Sequence, residues 1–135
     1  MKKKYFTVEH ANQLLPKLFP KLAQLMKVNK ALDLLDSIDI EYDDDFEENI
    51  NEVYRNKRYH KLSFDFYKEY YELLKMGIII KDLDNGLIDF YSLFEGREIF
   101  LCYNLGEKKI GFWHEIDTGF SGRKPIKLLE KNKEL

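Results

Sequence analysis

The apolar residues in the first third of the chain recur at alternating steps of three and four. They are Val8, Ala11, Leu15, Leu18, Leu22, Leu25 and, beyond polar Asn29, Leu32. This period predicts an α-helix with one apolar face, and Thr7 is placed to cap its N-terminus. The stripe fits two roles, a heptad-like seam that meets another helix or a face that packs inside its own domain.

Two prolines, Pro16 and Pro20, fall inside this pattern. Each removes a backbone donor and crowds the preceding turn, so we expect a kink or a break near Leu15. The alternative is a short helix that ends before Pro16 and a long helix that starts there, because proline is well tolerated in a first turn. Periodicity does not separate the two.

A second helical region is predicted from about Phe46 to Met76, with Gly77 as its left-handed cap. It follows a connection, from Asp36 to Glu52, that is rich in carboxylates and has no lysine or arginine. Such a run is typical of a solvated segment that ends at a helix N-terminus. The candidate inward positions are Ile50, Val53, Leu62, Phe66, Tyr70 and Leu73.

After Gly77 the apolar period changes from that of helices to that of strands. The β-rich runs are Ile78–Leu83, Leu87–Tyr91, Glu98–Tyr103 and Gly111–Ile116, joined by short turns that contain glycine. Connections this short make neighbouring strands antiparallel. The sequence therefore predicts an α+β fold, a long N-terminal helical hairpin kinked near Pro16 and then a small antiparallel β-meander of three or four strands.

Length and composition fit a single domain over residues 1–135, with a helical arm (1–77), a meander (78–123) and a basic tail (124–135). The net charge of −2 disfavours nonspecific binding to nucleic acid, and no apolar segment is long enough for a membrane span. The only cysteine, Cys102, leaves no intrachain disulfide to form. We therefore expect a cytoplasmic protein.

Four separated motifs resemble the DUF2203 family of uncharacterised bacterial and archaeal proteins. They are YFTVEHANQLLPKL, MGIIIKDLDNGLIDF, GREIFLCYNLGEKKIGFWHE and GFSGRKP, in that order. One departure is His10, where the family commonly has an acidic residue that would complete a capping box. The resemblance implies helices followed by a small sheet, and it supplies no activity and no catalytic residue.

The polar residues of the meander are the candidates for a ligand site. Those that we single out are Asp82, Asp89, Arg97, His114 and Arg123. Carboxylates and guanidinium groups are costly on a sheet unless they neutralise one another or meet a ligand. We expect neutralisation, with Asp82 and Asp89 pairing with Arg97 or Arg123. A small anion held by the glycines and cations of residues 119–125 is an alternative.

Cys102, His114 and one aspartate could also hold a metal ion, because thiolate, imidazole and carboxylate all bind zinc or iron. No Cys-x-x-Cys or His-x-x-x-His spacing supports this, so a buried thiol beside a hydrogen-bonded histidine is the competing interpretation. The same two residues could act as nucleophile and base, but a strand lacks the setting that activates a thiol. No cofactor is assigned from the sequence.

Two classes of function remain open at this point, and whether the protein is an enzyme is undecided. The first is a non-catalytic interaction or regulatory protein, a homodimer that self-associates through the seam of its helical arm or binds a protein partner. The polar residue Asn29 within the seam favours it, since a buried polar residue fixes register. The second is a small enzyme or a ligand- or metal-binding protein with its site on the meander.

Overall fold

The computed structural model describes residues 1–38 and 40–129 of the chain. Two long helices, α1 (Val8–Ser37) and α2 (Asp45–Lys75), pack against each other as a hairpin. Five strands follow, in the spatial order of the sequence and all antiparallel. They are β1 (Ile78–Asp82), β2 (Leu87–Phe94), β3 (Arg97–Asn104), β4 (Phe112–Glu115) and β5 (Lys124–Pro125). The predicted α+β layout of a helical hairpin and a meander is confirmed.

The core lies between α1 and one face of the sheet, which we call the inner face. Its α1 side is the predicted apolar stripe, and Leu18, Leu22 and Leu25 have no exposed surface. The sheet contributes Ile78, Ile88, Phe90, Ile99, Leu101, Tyr103 and Trp113 to the same cluster. The stripe of α1 is thus a core face within one chain, and a homodimer that buries this seam loses its physical basis.

Asn29 does not sit between two copies of α1. Its side-chain amide donates to Oδ1 of Asp84 at 3.2 Å, in the turn between β1 and β2. Asn29, the polar residue in the stripe, therefore connects α1 to the end of the sheet by a hydrogen bond.

Helix α1 runs without interruption through Pro16 and Pro20, so the interpretation with two separate helices is wrong. Both prolines are on the exposed side of the helix. A proline leaves the carbonyl group one turn earlier without its amide donor, and a carbonyl near the exposed side of a helix can be hydrated instead.

Helix α2 begins after Asp44, whose carboxylate accepts a hydrogen bond from the amide of Glu47 at 2.8 Å. Of the predicted inward positions, Leu73 is buried, and Leu62, Phe66 and Tyr70 are partly buried. Ile50 and Val53 are not inward, with 40% and 66% of their surface exposed. In this half of the hairpin α2 contacts the end of α1 and the residue that follows it, where Arg55 donates to the carbonyl oxygens of Leu35 and Ile38.

The meander has one strand more than predicted. Lys124 and Pro125 pair with Trp113 and Phe112 of β4, so the basic tail begins as part of the sheet. A short 3₁₀ turn, Ile126–Leu128, and buried Leu129 follow. The rest of the predicted basic tail, 130–135, lies outside the described residues. Within the described residues no helix is long and apolar enough to cross a membrane.

The N-terminal segment is held by Phe6, which is buried against the start of the sheet. Its amide donates to the carbonyl oxygen of Tyr91 at 2.8 Å, and its own carbonyl accepts from the hydroxyl of Ser92 at 2.6 Å. Gly77, at φ +93°, lies under the ring, and a Cβ there would come within 2.8 Å of it. Only glycine combines this backbone angle with this close approach.

We expect Gly77→Ala to lower the free energy of unfolding by about 1–3 kcal/mol more than Gly106→Ala does. Gly106 has a similar angle, φ +108°, but a Cβ there would meet nothing within 4 Å. The matched pair therefore separates the contact with Phe6 from backbone strain. Urea denaturation of both variants measures the difference, and equal losses would show that the Phe6 contact adds nothing.

Candidate functional site

The register of the meander places three polar side chains on the outer face of the sheet, the face away from α1. Asp89 of β2 is directly opposite Cys102 of β3. Phe100, two residues before Cys102 and on the same face, is opposite His114 of β4. One ligand atom from each of Asp89, Cys102 and His114 lies within 4.8 Å of the other two. All three residues are at most 2% exposed.

His114 and Asp89 form a hydrogen bond, and the geometry around His114 requires that a proton lies between the two side chains. Nδ1 of His114 lies 2.7 Å from the carbonyl oxygen of Glu115, which only accepts, so Nδ1 carries a hydrogen. Nε2 lies 3.0 Å from Oδ2 of Asp89. Either an imidazolium faces a carboxylate or a neutral imidazole faces a carboxylic acid. In both cases the pair holds one proton between the two atoms and is neutral overall.

The second carboxylate oxygen of Asp89 is an unused acceptor. Oδ1 is buried and has no hydrogen-bond partner among the described residues. Burial raises the pKa of Asp89, while the neighbouring His114 opposes that shift. A buried oxygen without a donor is unfavourable by about 1–3 kcal/mol, so a hydrogen-bond donor or a cation next to this atom would be stabilising.

The thiol of Cys102 is fully buried beside this carboxylate. Burial raises the pKa of Cys102 to about 12, and the negative charge of Asp89 acts in the same direction, whereas Arg123 opposes it. The thiol interacts with Asp89 but does not give Oδ1 a hydrogen bond of normal geometry. Both nitrogens of His114 already face other acceptors, so the imidazole is not arranged as the base of a Cys102 nucleophile.

Arg123 borders the site and is held from two sides. Its guanidinium donates to Oε1 of Glu107 at 2.7 Å and stacks on the ring of Phe112, 4.2 Å from the ring centre. The ring of Phe120 lies 4.6 Å away. Nε of Arg123 is buried and has no hydrogen-bond partner in the described part of the chain. The site therefore has one unused donor and one unused acceptor, each on a residue that interacts with the Cys102 thiol.

Two of the five predicted candidates lie elsewhere. Arg97 forms a bidentate ion pair with Glu115, 2.6 Å at its shortest, and lies 3.3 Å from Glu95. Asp82 accepts from the side-chain amide of Asn85 at 2.7 Å and belongs to a turn. A register shift between Ile80 and Asp82 removes it from the alternation expected for β1. Neither residue reaches the group around Cys102.

The expected neutralisation of Asp82 and Asp89 by Arg97 or Arg123 does not occur. Asp89 pairs with His114 instead, and each arginine pairs with a glutamate. His114 and Glu115, neighbours in β4, lie on opposite faces of the sheet. Sequence reasoning missed Glu107, which fixes Arg123, and Lys81, whose ammonium lies over the ring of Phe100 at 4.2 Å. The spacing of Glu107 and Arg123 carries no signal for their pairing, because the whole of β4 lies between them in the sequence.

The group of Asp89, Cys102 and His114 has the donor set of a transition-metal site. Sulfur, nitrogen and oxygen ligands suit zinc and related borderline cations. In tetrahedral zinc sites, ligand atoms lie about 3.3–3.8 Å apart, so separations of up to 4.8 Å require only small side-chain movements. The hydrogen bond from Nδ1 to the Glu115 carbonyl is the outer contact that orients a histidine to bind through Nε2.

The helical hairpin and the meander define a small α+β protein that carries this buried polar group on the outer face of its sheet. The chain belongs to the DUF2203 family, described as an uncharacterized conserved protein, which matches residues 4–126. No curated protein and no solved structure matches the chain. Family membership therefore confirms the resemblance seen in the sequence motifs and assigns no activity.

We expect the Cys102 thiol to be almost unreactive in the folded protein. With its pKa raised to about 12, the thiolate fraction at pH 8 is only about 1 in 10,000. Native protein mixed with a thiol reagent at pH 8 should react orders of magnitude more slowly than the same protein in concentrated urea. Fast, complete labelling without urea would contradict the burial and the pKa direction derived for Cys102.

Proposed function

We propose that this protein binds a divalent transition metal, zinc in the first instance, through Asp89, Cys102 and His114. The observation that carries the proposal is the meeting of three different donors from three neighbouring strands around an unused carboxylate oxygen. The donors are closed off from solvent, so a substrate has no open path to the ion. A non-catalytic role in interaction or regulation fits such a site better than turnover of a substrate.

Charge balance supports a divalent ion. A Cys102 thiolate and an Asp89 carboxylate together neutralise a charge of two, and His114 then binds as a neutral ligand. The three side chains leave a fourth position for water or a small anion, with Arg123 beside it. The cytoplasm is the compartment that we propose, because a single thiol that must stay reduced to bind metal suits it. We propose no contact with nucleic acid.

Replacing His114 by glutamine should abolish stoichiometric zinc binding, whereas His60→Gln, at an exposed histidine of α2, should leave it unchanged. Metal-free protein is titrated with zinc in competition with a chromophoric chelator, and metal content is measured after gel filtration. Cobalt substitution adds a second readout, a thiolate-to-cobalt absorption band that Cys102→Ser removes. Circular dichroism checks that each variant is folded. Equal zinc affinity in both histidine variants, or binding well below one ion per chain, would rule the site out.

The apparent zinc affinity should rise about 100-fold for each unit of pH near neutrality, because binding releases two protons. One leaves the Cys102 thiol, whose pKa is raised to about 12, and the other leaves the hydrogen bond between His114 and Asp89. In Cys102→Ser only the second proton is released, and the slope should fall to about tenfold. Competition titrations at about pH 6.5 and about pH 7.5 measure both slopes. A wild-type affinity that does not change with pH contradicts this ligand set.

A further inference from the structure

Helix α2 has a second apolar face that nothing in the described chain covers. One side of the helix packs on α1 and the sheet through Leu62, Phe66, Tyr70 and Leu73. The other side is exposed, with Phe46 at 75%, Val53 at 66%, Phe64 at 68% and Tyr67 at 69%. Large apolar side chains repeated along an exposed helix usually mark a contact surface.

These residues follow a heptad. Starting at Phe46, alternating steps of four and three reach eight positions, which we call the α2 stripe: Phe46, Ile50, Val53, Lys57, His60, Phe64, Tyr67 and Tyr71. Six are apolar or aromatic, and the two polar ones lie in the middle. The stripe is about 37 Å long, or more than three heptads, enough for a two-helix coiled coil.

The α2 stripe is complementary to itself when two copies run antiparallel. With a two-fold axis between Arg58 and Tyr59, every position faces a partner of similar character. The apolar pairs are Phe46 with Tyr71, Ile50 with Tyr67, and Val53 with Phe64. Lys57 then faces His60. A shift by one heptad would bury Lys57 against Tyr67, so the two polar positions in the middle of the stripe favour one register.

The flanking positions also match in this arrangement. On one side, Glu47 faces Lys68 and Tyr54 faces Lys61, which gives an ion pair and a cation–aromatic contact. On the other side, Asn56 faces Ser63, and both are uncharged. A parallel pairing would instead bring Lys57 against Lys57 and His60 against His60, and it would leave Glu47 without Lys68.

We propose that the protein forms a homodimer by antiparallel pairing of the α2 stripe with the α2 stripe of a second copy. Two hairpins then lie back to back, with each α1 on the outside of the pair and the sheets at opposite ends. The partner is a second copy because pattern, length and flanking charge all match the stripe itself. This surface differs from the α1 seam, which is buried within each chain.

Cysteine crosslinking tests the orientation directly. In a Cys102→Ser background, Val53→Cys and Phe64→Cys chains should form a disulfide when mixed and oxidised. Either chain alone should not, because two copies of the same position are separated by about 16 Å along the axis. Crosslinking of each chain with itself would indicate parallel pairing and overturn the proposal.

Sedimentation equilibrium at tens of micromolar protein tests the surface. Wild-type protein should be a dimer, and Phe64→Lys should raise its dissociation constant by at least about 30-fold. Ile116→Lys, at an exposed apolar residue outside the stripe, should change it less than about twofold. The proposal is overturned if the wild-type protein is a monomer. It is also overturned if the monomer binds lipid vesicles through the α2 stripe.

Charge reversal tests the register. Glu47→Lys alone and Lys68→Glu alone should each weaken the dimer about tenfold, because like charges then meet twice across the two-fold axis. The double variant should return to within about twofold of wild type, since the pair is restored with its signs exchanged. If the losses of dimer affinity in the two single variants simply add in the double variant, Glu47 and Lys68 do not face each other.

Discussion

The packing of α1 on the inner face of the sheet determines what the rest of the molecule leaves uncovered. Leu18, Leu22 and Leu25 lie against the strands without exposed surface, so one helix covers one face of the sheet. Helix α2 packs mainly on α1, and its main contact with the sheet is with β1. Among the described residues, two surfaces therefore have no helix packed on them: the outer face of the sheet, with its polar group, and the outer face of α2, with its aromatic stripe.

Two long cationic side chains lie over aromatic rings on the outer face of the sheet. Lys81 lies over the ring of Phe100, and Arg123 lies over the ring of Phe112. Long cationic side chains can cover aromatic rings while their charged ends stay near water or a carboxylate. This cover explains how Asp89, Cys102 and His114 become buried on a face without a helix. It also places two positive charges around a thiol and a carboxylate.

Part of this site could be predicted from the sequence and part could not. Glu95 and Gly96 form a two-residue turn, both at positive φ, and such a turn fixes the register of β2 and β3 so that Asp89 meets Cys102. The position of His114 could not be derived in this way, because the residues between Asn104 and Phe112 set the register of β4 through an irregular loop. The hydrogen bond of Tyr103 to the Glu107 carbonyl organises that loop, and it has no sequence signature.

For the helices, too, part of the structure could be predicted from the sequence and part could not. The α1 stripe was identified correctly, yet periodicity could not say whether it packs within the chain or between chains, because both arrangements bury the same apolar face. In α2, the predicted inward set mixed two faces: Ile50 and Val53 belong to the outer stripe, and Leu62 and Leu73 to the inner face. Only the observed packing separates them, since α1 covers one side of α2 and the stripe stays exposed. A helix supported on one side, and apolar on both, is the physical reason to expect a second copy.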